Sequence, residues 1–133
     1  MLRRTASAFL VASLTAFAAA CSSYTSPSKN TVETRSGTIA VGGSAIENFT
    51  VKSNGEISII VSALSPTVPT STFFGVGYGL QSSGQCALFG VNLSVVGATA
   101  ISTSITPGNY CVQIVDQGAF TTTETYTLLI SHP

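Results

Sequence analysis

Ile105-Thr-Pro-Gly-Asn-Tyr-Cys-Val-Gln-Ile-Val-Asp116 is the stretch whose reading decides the fold. Thr106-Pro107-Gly108-Asn109 spells a turn: Pro107 pre-sets φ at the second position, and Gly108 or Asn109 accepts positive φ. A strand leaves that turn from Tyr110 to Val115, rich in β-branched and aromatic residues. Side chains alternate along a strand, so Tyr110, Val112 and Ile114 share one face and Cys111, Gln113 and Val115 the other. The first face reads as core. Cys111 needs a partner, and Cys86 is the one that fits.

Outward from this strand, short apolar-patterned runs alternate with turn residues, and no segment carries a capped helical period. Strands are predicted over 38–41, 45–51, 56–64, 72–80, 86–93, 99–105, 110–115 and 124–131. Ser53-Asn54-Gly55 lies between two apolar runs, which predicts a hairpin there. Eight short strands with regular turn signals indicate an all-β chain: a single antiparallel β-sandwich, jelly-roll-like, with no βαβ units. It occupies 36–133.

Ahead of it, Met1-Leu2-Arg3-Arg4 is a short positive segment, and Ala6 to Ala20 is apolar but for Ser7, Ser13 and Thr15. The run ends in small residues before Cys21, the pattern of a secretory signal peptide over 1–20. Phe17-Ala18-Ala19-Ala20-Cys21 resembles a bacterial lipobox, which implies acylation of Cys21 at the new N-terminus and anchoring in a membrane. Ordinary cleavage at the Ala-x-Ala site would instead leave a periplasmic or secreted protein with Cys21 as a spare thiol. The cysteine count bears on this choice, because the three cysteines leave one odd, and lipidation of Cys21 frees Cys86 and Cys111 to pair. A single acyl chain holds a protein only marginally at about 0.8 kcal/mol per CH₂; the two or three chains of bacterial lipoproteins hold it durably. Ser22 after the cysteine implies the outer membrane. The polar stretch 21–35 is expected to be a flexible tether reaching roughly 20 Å from its anchor.

Composition excludes some partners. Charged residues are only 8% of the chain, against about 25% in an ordinary soluble domain. Loss of 1–20 leaves three basic residues (Lys29, Arg35, Lys52) against five acidic ones. Nothing forms the basic stripe that nucleic acid requires.

The order of features from Gly37-Thr38-Ile39 through Gly42-Gly43, Phe49-Thr50-Val51, the Gly55-to-Leu64 strand, Pro107-Gly108-Asn109-Tyr110 and Tyr126-Thr127-Leu128 resembles the bacterial pre-peptidase C-terminal domain. That family's acidic Asp-x-Asp-Leu segment is missing, with Phe73 to Leu80 in its place. The resemblance implies a non-catalytic β-sandwich module.

For chemistry, Cys86 and Cys111 are expected to form a structural disulfide, since metal binding would need more ligands and a redox pair a Cys-x-x-Cys spacing. In Phe73-Phe-Gly-Val-Gly-Tyr-Gly-Leu80, Phe73, Gly75, Gly77 and Gly79 share one face. Glycines there mean close approach of something: a ligand lying on a bare platform edged by Phe73, or a neighbouring part of the chain such as Phe120. No catalytic set is legible. His132 is the only histidine and is expected at a frayed end, and Asp116 is the only Asp. Glu33, Glu47, Glu56 and Glu124 lack paired-carboxylate spacing, and most of them read as solubilising. Asp116-Gln117-Gly118 offers one calcium oxygen where six are needed, and reads as a turn. No cofactor or metal is expected. The expected function is thus an exported, non-enzymatic module for binding or adhesion at the cell envelope, with a glycan or an envelope protein as partner. The alternative is a structural lipoprotein that self-associates into oligomers through its weakly charged faces.

Overall fold

The computed structural model describes residues 24–133. Eight strands follow a short 3₁₀ turn at Pro27–Lys29: β1 Thr31–Ile39, β2 Ser44–Val51, β3 Gly55–Ser65, β4 Phe74–Ser82, β5 Gln85–Ser94, β6 Thr99–Ile105, β7 Gly108–Val115 and β8 Glu124–His132. They form two four-stranded antiparallel sheets, ordered β1-β8-β3-β6 and β2-β7-β4-β5. This is the strand order of a jelly roll. The signal-peptide segment and Cys21 lie outside the described residues.

Each sheet turns one face inward, and the residues alternate accordingly. Ile57, Ile59 and Val61 of β3 and Tyr126, Leu128 and Ile130 of β8 meet Phe74 and Val76 of β4 and Tyr110, Val112 and Ile114 of β7 in one core. Phe49 stacks on Tyr110 at 5.8 Å between centroids, and Phe120 closes one end against Phe74 at 6.3 Å. The two faces expected of β7 are the faces observed, with Val112 fully buried and Tyr110 and Ile114 nearly so.

The turn before β7 does something other than reverse the chain within a sheet. It carries the chain from β6 in one sheet to β7 in the other. The Tyr110 ring lies against Gly108, and its hydroxyl donates back to the Thr106 carbonyl at 3.0 Å, locking the corner. Neither Gly108 nor Asn109 takes positive φ.

Three expectations are corrected. Ser53-Asn54-Gly55 makes no hairpin, because β2 pairs with β7 while β3 pairs with β6 and β8. Gly55 lacks positive φ, and the Asn54 carbonyl is taken by the Thr25 amide at 2.7 Å. The hairpin that does form joins β4 to β5 through Ser83 (φ 48) and Gly84 (φ 80), the backbone of a two-residue primed turn. Second, residues 31–35 are not tether. They pair with β8 from Thr31↔His132 onward, and Asn30 Nδ2 donates to the Glu56 carbonyl at 2.8 Å just before. Polar composition there marks an edge strand. Third, His132 is not frayed: it ends β8 at 5% exposure, its ring tilted against Phe49 at 5.6 Å.

Candidate functional site

The hairpin of β4 and β5 is folded onto itself. β5 and β7 flank β4 on opposite sides, so their backbones should be two strand spacings apart, roughly 9–10 Å. Yet Cys86 of β5 and Cys111 of β7 are joined by a disulfide with their Cα atoms 5.7 Å apart. The start of β5 must therefore cross the outer face of β4. Glycines at 75, 77 and 79 make that crossing possible. A Cβ on Gly77 would sit 2.6 Å from the Gly90 carbonyl oxygen, and one on Gly79 would run into the Ala87 carbonyl. One on Gly75 would meet Gln117 Nε2 at 2.8 Å and Val91 Cγ1 at 2.9 Å. A β-bulge between Tyr78 and Gly79, which leaves Phe89 without a partner on β4, supplies the extra bend.

All three glycines are buried, so the space in front of them is taken by β5, Val91 and Gln117. Phe120, the neighbour expected there, packs instead in the core. Phe73 stands just ahead of β4, 54% exposed. A formed disulfide of this kind belongs to an oxidising compartment outside the cytosol.

Folding β5 over leaves an unusual strand at the sheet's edge. Phe89, Val91 and Leu93 are 59%, 45% and 66% exposed, while Asn92 pairs in register with the fully buried Val76. From Phe89 to Leu93 every residue of β5 is exposed, Asn92 included, so large apolar side chains stand in solvent along this edge. Phe89 meets Tyr78 edge-on at 5.1 Å. Beside them Gly90, Asn92, Ile101, Ser102 and Thr103 complete a shallow recess of about 210 Å³ between β5 and β6. Asn92 Nδ2 donates to the Ala100 carbonyl at 2.9 Å. None of the lining residues is charged, and from Ile57 to Val115 the sequence has no Asp, Glu, Lys, Arg or His.

The opposite side of the sandwich, where the β1 and β2 edges meet, is built the other way. Glu33 bonds Arg35 and, at 2.9 Å, His132 Nε2. Tyr126 reaches across Gly37, which has no side chain to block it, and donates to Glu47 Oε1 at 2.6 Å. Burial first, and then the Glu47 carboxylate, push the Tyr126 hydroxyl well above the ordinary tyrosine range. A groove of about 630 Å³ here is lined by Glu33, Arg35, Asn48, Lys52, Gln81 and His132 among others. Inward-pointing charges on edge strands discourage pairing with another chain. Most of the four glutamates read as solubilising, yet Glu33 and Glu47 hold side-chain bonds here and Glu124 is buried at 3% exposure.

Asp116 closes the far turn. Burial alone would raise its carboxyl, but amide hydrogens of Gly42, Phe120, Ala119 and Gly118 outweigh that and hold it below the usual carboxylate range. Among the described residues, no three His, Cys, Asp or Glu side chains gather as a metal cluster.

No protein family matches the chain, so the pre-peptidase C-terminal resemblance gains no support. No curated protein matches it either. Among solved structures, the chain is similar to the crystal structure of Yersinia pseudotuberculosis-derived mitogen (YPM). The TM-score is 0.52 at 15% identity, over 78% of this chain and 87% of that one. At that identity the likeness is one of fold.

Proposed function

We propose that this chain is an exported, lipid-anchored, non-catalytic module that binds a neutral partner, carbohydrate or protein, at the bacterial cell envelope. One observation carries the reading: the β5–β6 side exposes large apolar side chains and a recess lined by two aromatic rings, an amide and hydroxyls, with no charged residue in its lining. Aromatic rings accept the apolar faces of sugars or side chains, and neutral polar groups fix orientation without the desolvation cost of ions. The non-catalytic part is supported by His132, whose ring nitrogens face Glu33 Oε1 at 2.9 Å and the Pro133 carbonyl at 3.2 Å, with no hydroxyl or thiol nucleophile on either. Anchoring rests on the Cys21 lipobox and on a structured domain that begins by Thr25, bonded to Asn54, close after it.

The test is binding of the purified protein to arrayed glycans and to envelope extracts, beside a Phe89→Ala variant. We expect ligands without net charge and at least a tenfold loss with the variant, the factor that about 1.4 kcal/mol represents. Binding that is unchanged by Phe89→Ala, or confined to charged ligands and lost with Arg35→Ala, places the contact surface elsewhere and defeats the reading.

A further inference from the structure

The sandwich has four edge strands, and they are treated unequally. β1 and β2 carry Glu33, Arg35 and Glu47 turned into the mouth between the sheets, tied to His132 and Tyr126. β5 carries no charge and no proline. It ends its sheet, and among the described residues no further backbone–backbone hydrogen bond reaches it. Its segment Phe89-Gly-Val-Asn-Leu93 therefore presents free N–H and C=O groups beside exposed apolar side chains. A row of that kind is a template for another strand.

Resting on the reading of β5 as the contact surface, we propose that its partner is a second copy of this chain, paired antiparallel through β5 about a two-fold axis at Val91. Charge selects this occupant. The segment Phe89 to Leu93 carries no charge, so it offers nothing to a charged partner and meets its own copy without like-charge repulsion, while its unpaired backbone calls for a strand. The pattern is also self-complementary. Centring the two-fold on Val91 sets Val91 against Val91 of the second copy and Phe89 against its Leu93. Both sheets then join into one continuous sheet of eight strands, with Val91 meeting Val91 on the axis and a Phe89–Leu93 pair on either side of it. A two-fold contact closes on itself and does not propagate into a fibre. The paired segment is short, so the interface lies at the small end of the range and the dimer is reversible.

Sedimentation of the purified exported chain over a concentration series, with hydrogen exchange read at each end of it, tests this. The sedimenting mass should rise from monomer to dimer, and the amides between Phe89 and Leu93 should gain protection as it does. Leu93→Lys, at a well-exposed position, should give a monomer, while Val32→Lys on the guarded β1 edge should leave the dimer unchanged. The exchange pattern of the unsubstituted chain needs no variant, so a misfolded variant does not block the test. A chain monomeric at every concentration overturns the proposal, and so does a dimer that survives Leu93→Lys or gains protection on β1. If a monomer instead protects these same amides only when a neutral glycan or another envelope protein is added, self-pairing is overturned while the binding reading stands.

Discussion

Single residues decide where this chain approaches itself. Gly79 has no room for a methyl group because the Ala87 carbonyl stands there, and backbone cannot step aside as a side chain can. Gly79→Ala should therefore destabilise by roughly 1–3 kcal/mol, the cost of overpacking. Gly90, with open space in front of it, is the control: Gly90→Ala should be neutral or slightly stabilising. Urea midpoints of the two variants check this. Asp116 provides a pH signature. Its carboxyl is held below the value of 3.8 typical of the unfolded chain, so it adds stability above that range and loses it as pH falls through the lowered value. Asp116→Asn lacks this contribution. Its urea midpoint should lie below that of the unsubstituted protein at neutral pH, and the gap should close as pH falls from about 5 to about 2.

At the scale of elements, the disulfide and the three glycines act as one device. Cys86 and Cys111 are 25 positions apart, and closing a loop of that length restricts the unfolded chain by roughly 3.5 kcal/mol. Replacing both cysteines with serine should lower the stability by about that amount. Hydrogen exchange should show the loss concentrated first at Gln85 to Leu88, where β5 is no longer tied across β4. Uniform loosening of both sheets would mean that β5 lies over β4 without the clamp. The pairing of these cysteines was legible from export and from parity, and the glycine face was legible as a place of close approach. What covers the glycines was not, because it depends on β5 bending at the Phe89 bulge, and no local propensity marks that bend. The Asn54-Gly55 signal failed for a related reason: turn chemistry speaks for the turn, and a jelly roll sends most of its connections across to the other sheet.

For the whole molecule, the sandwich has one ionic side and one neutral side. The uninterrupted neutral run from Ile57 to Val115 stands in the sequence. Its meaning does not, since only the strand order shows that β5 and β6 share a side while β1 and β2 share the other. Likewise Glu33, Arg35 and His132 lie at opposite ends of the described chain, and only the pairing of β1 with β8 brings them together. A weakly charged chain, a disulfide between two strands of one sheet and the acylation proposed at Cys21 are mutually consistent for a protein that works outside the cytosol, and this is the claim on which the proposed function depends.

The intact mass of the protein isolated from its own cells tests that claim most directly. The predicted result is a chain beginning at Cys21 with acyl groups on that residue, and with Cys86 and Cys111 oxidised. A chain that keeps residues 1–20 and has all three thiols free would contradict it.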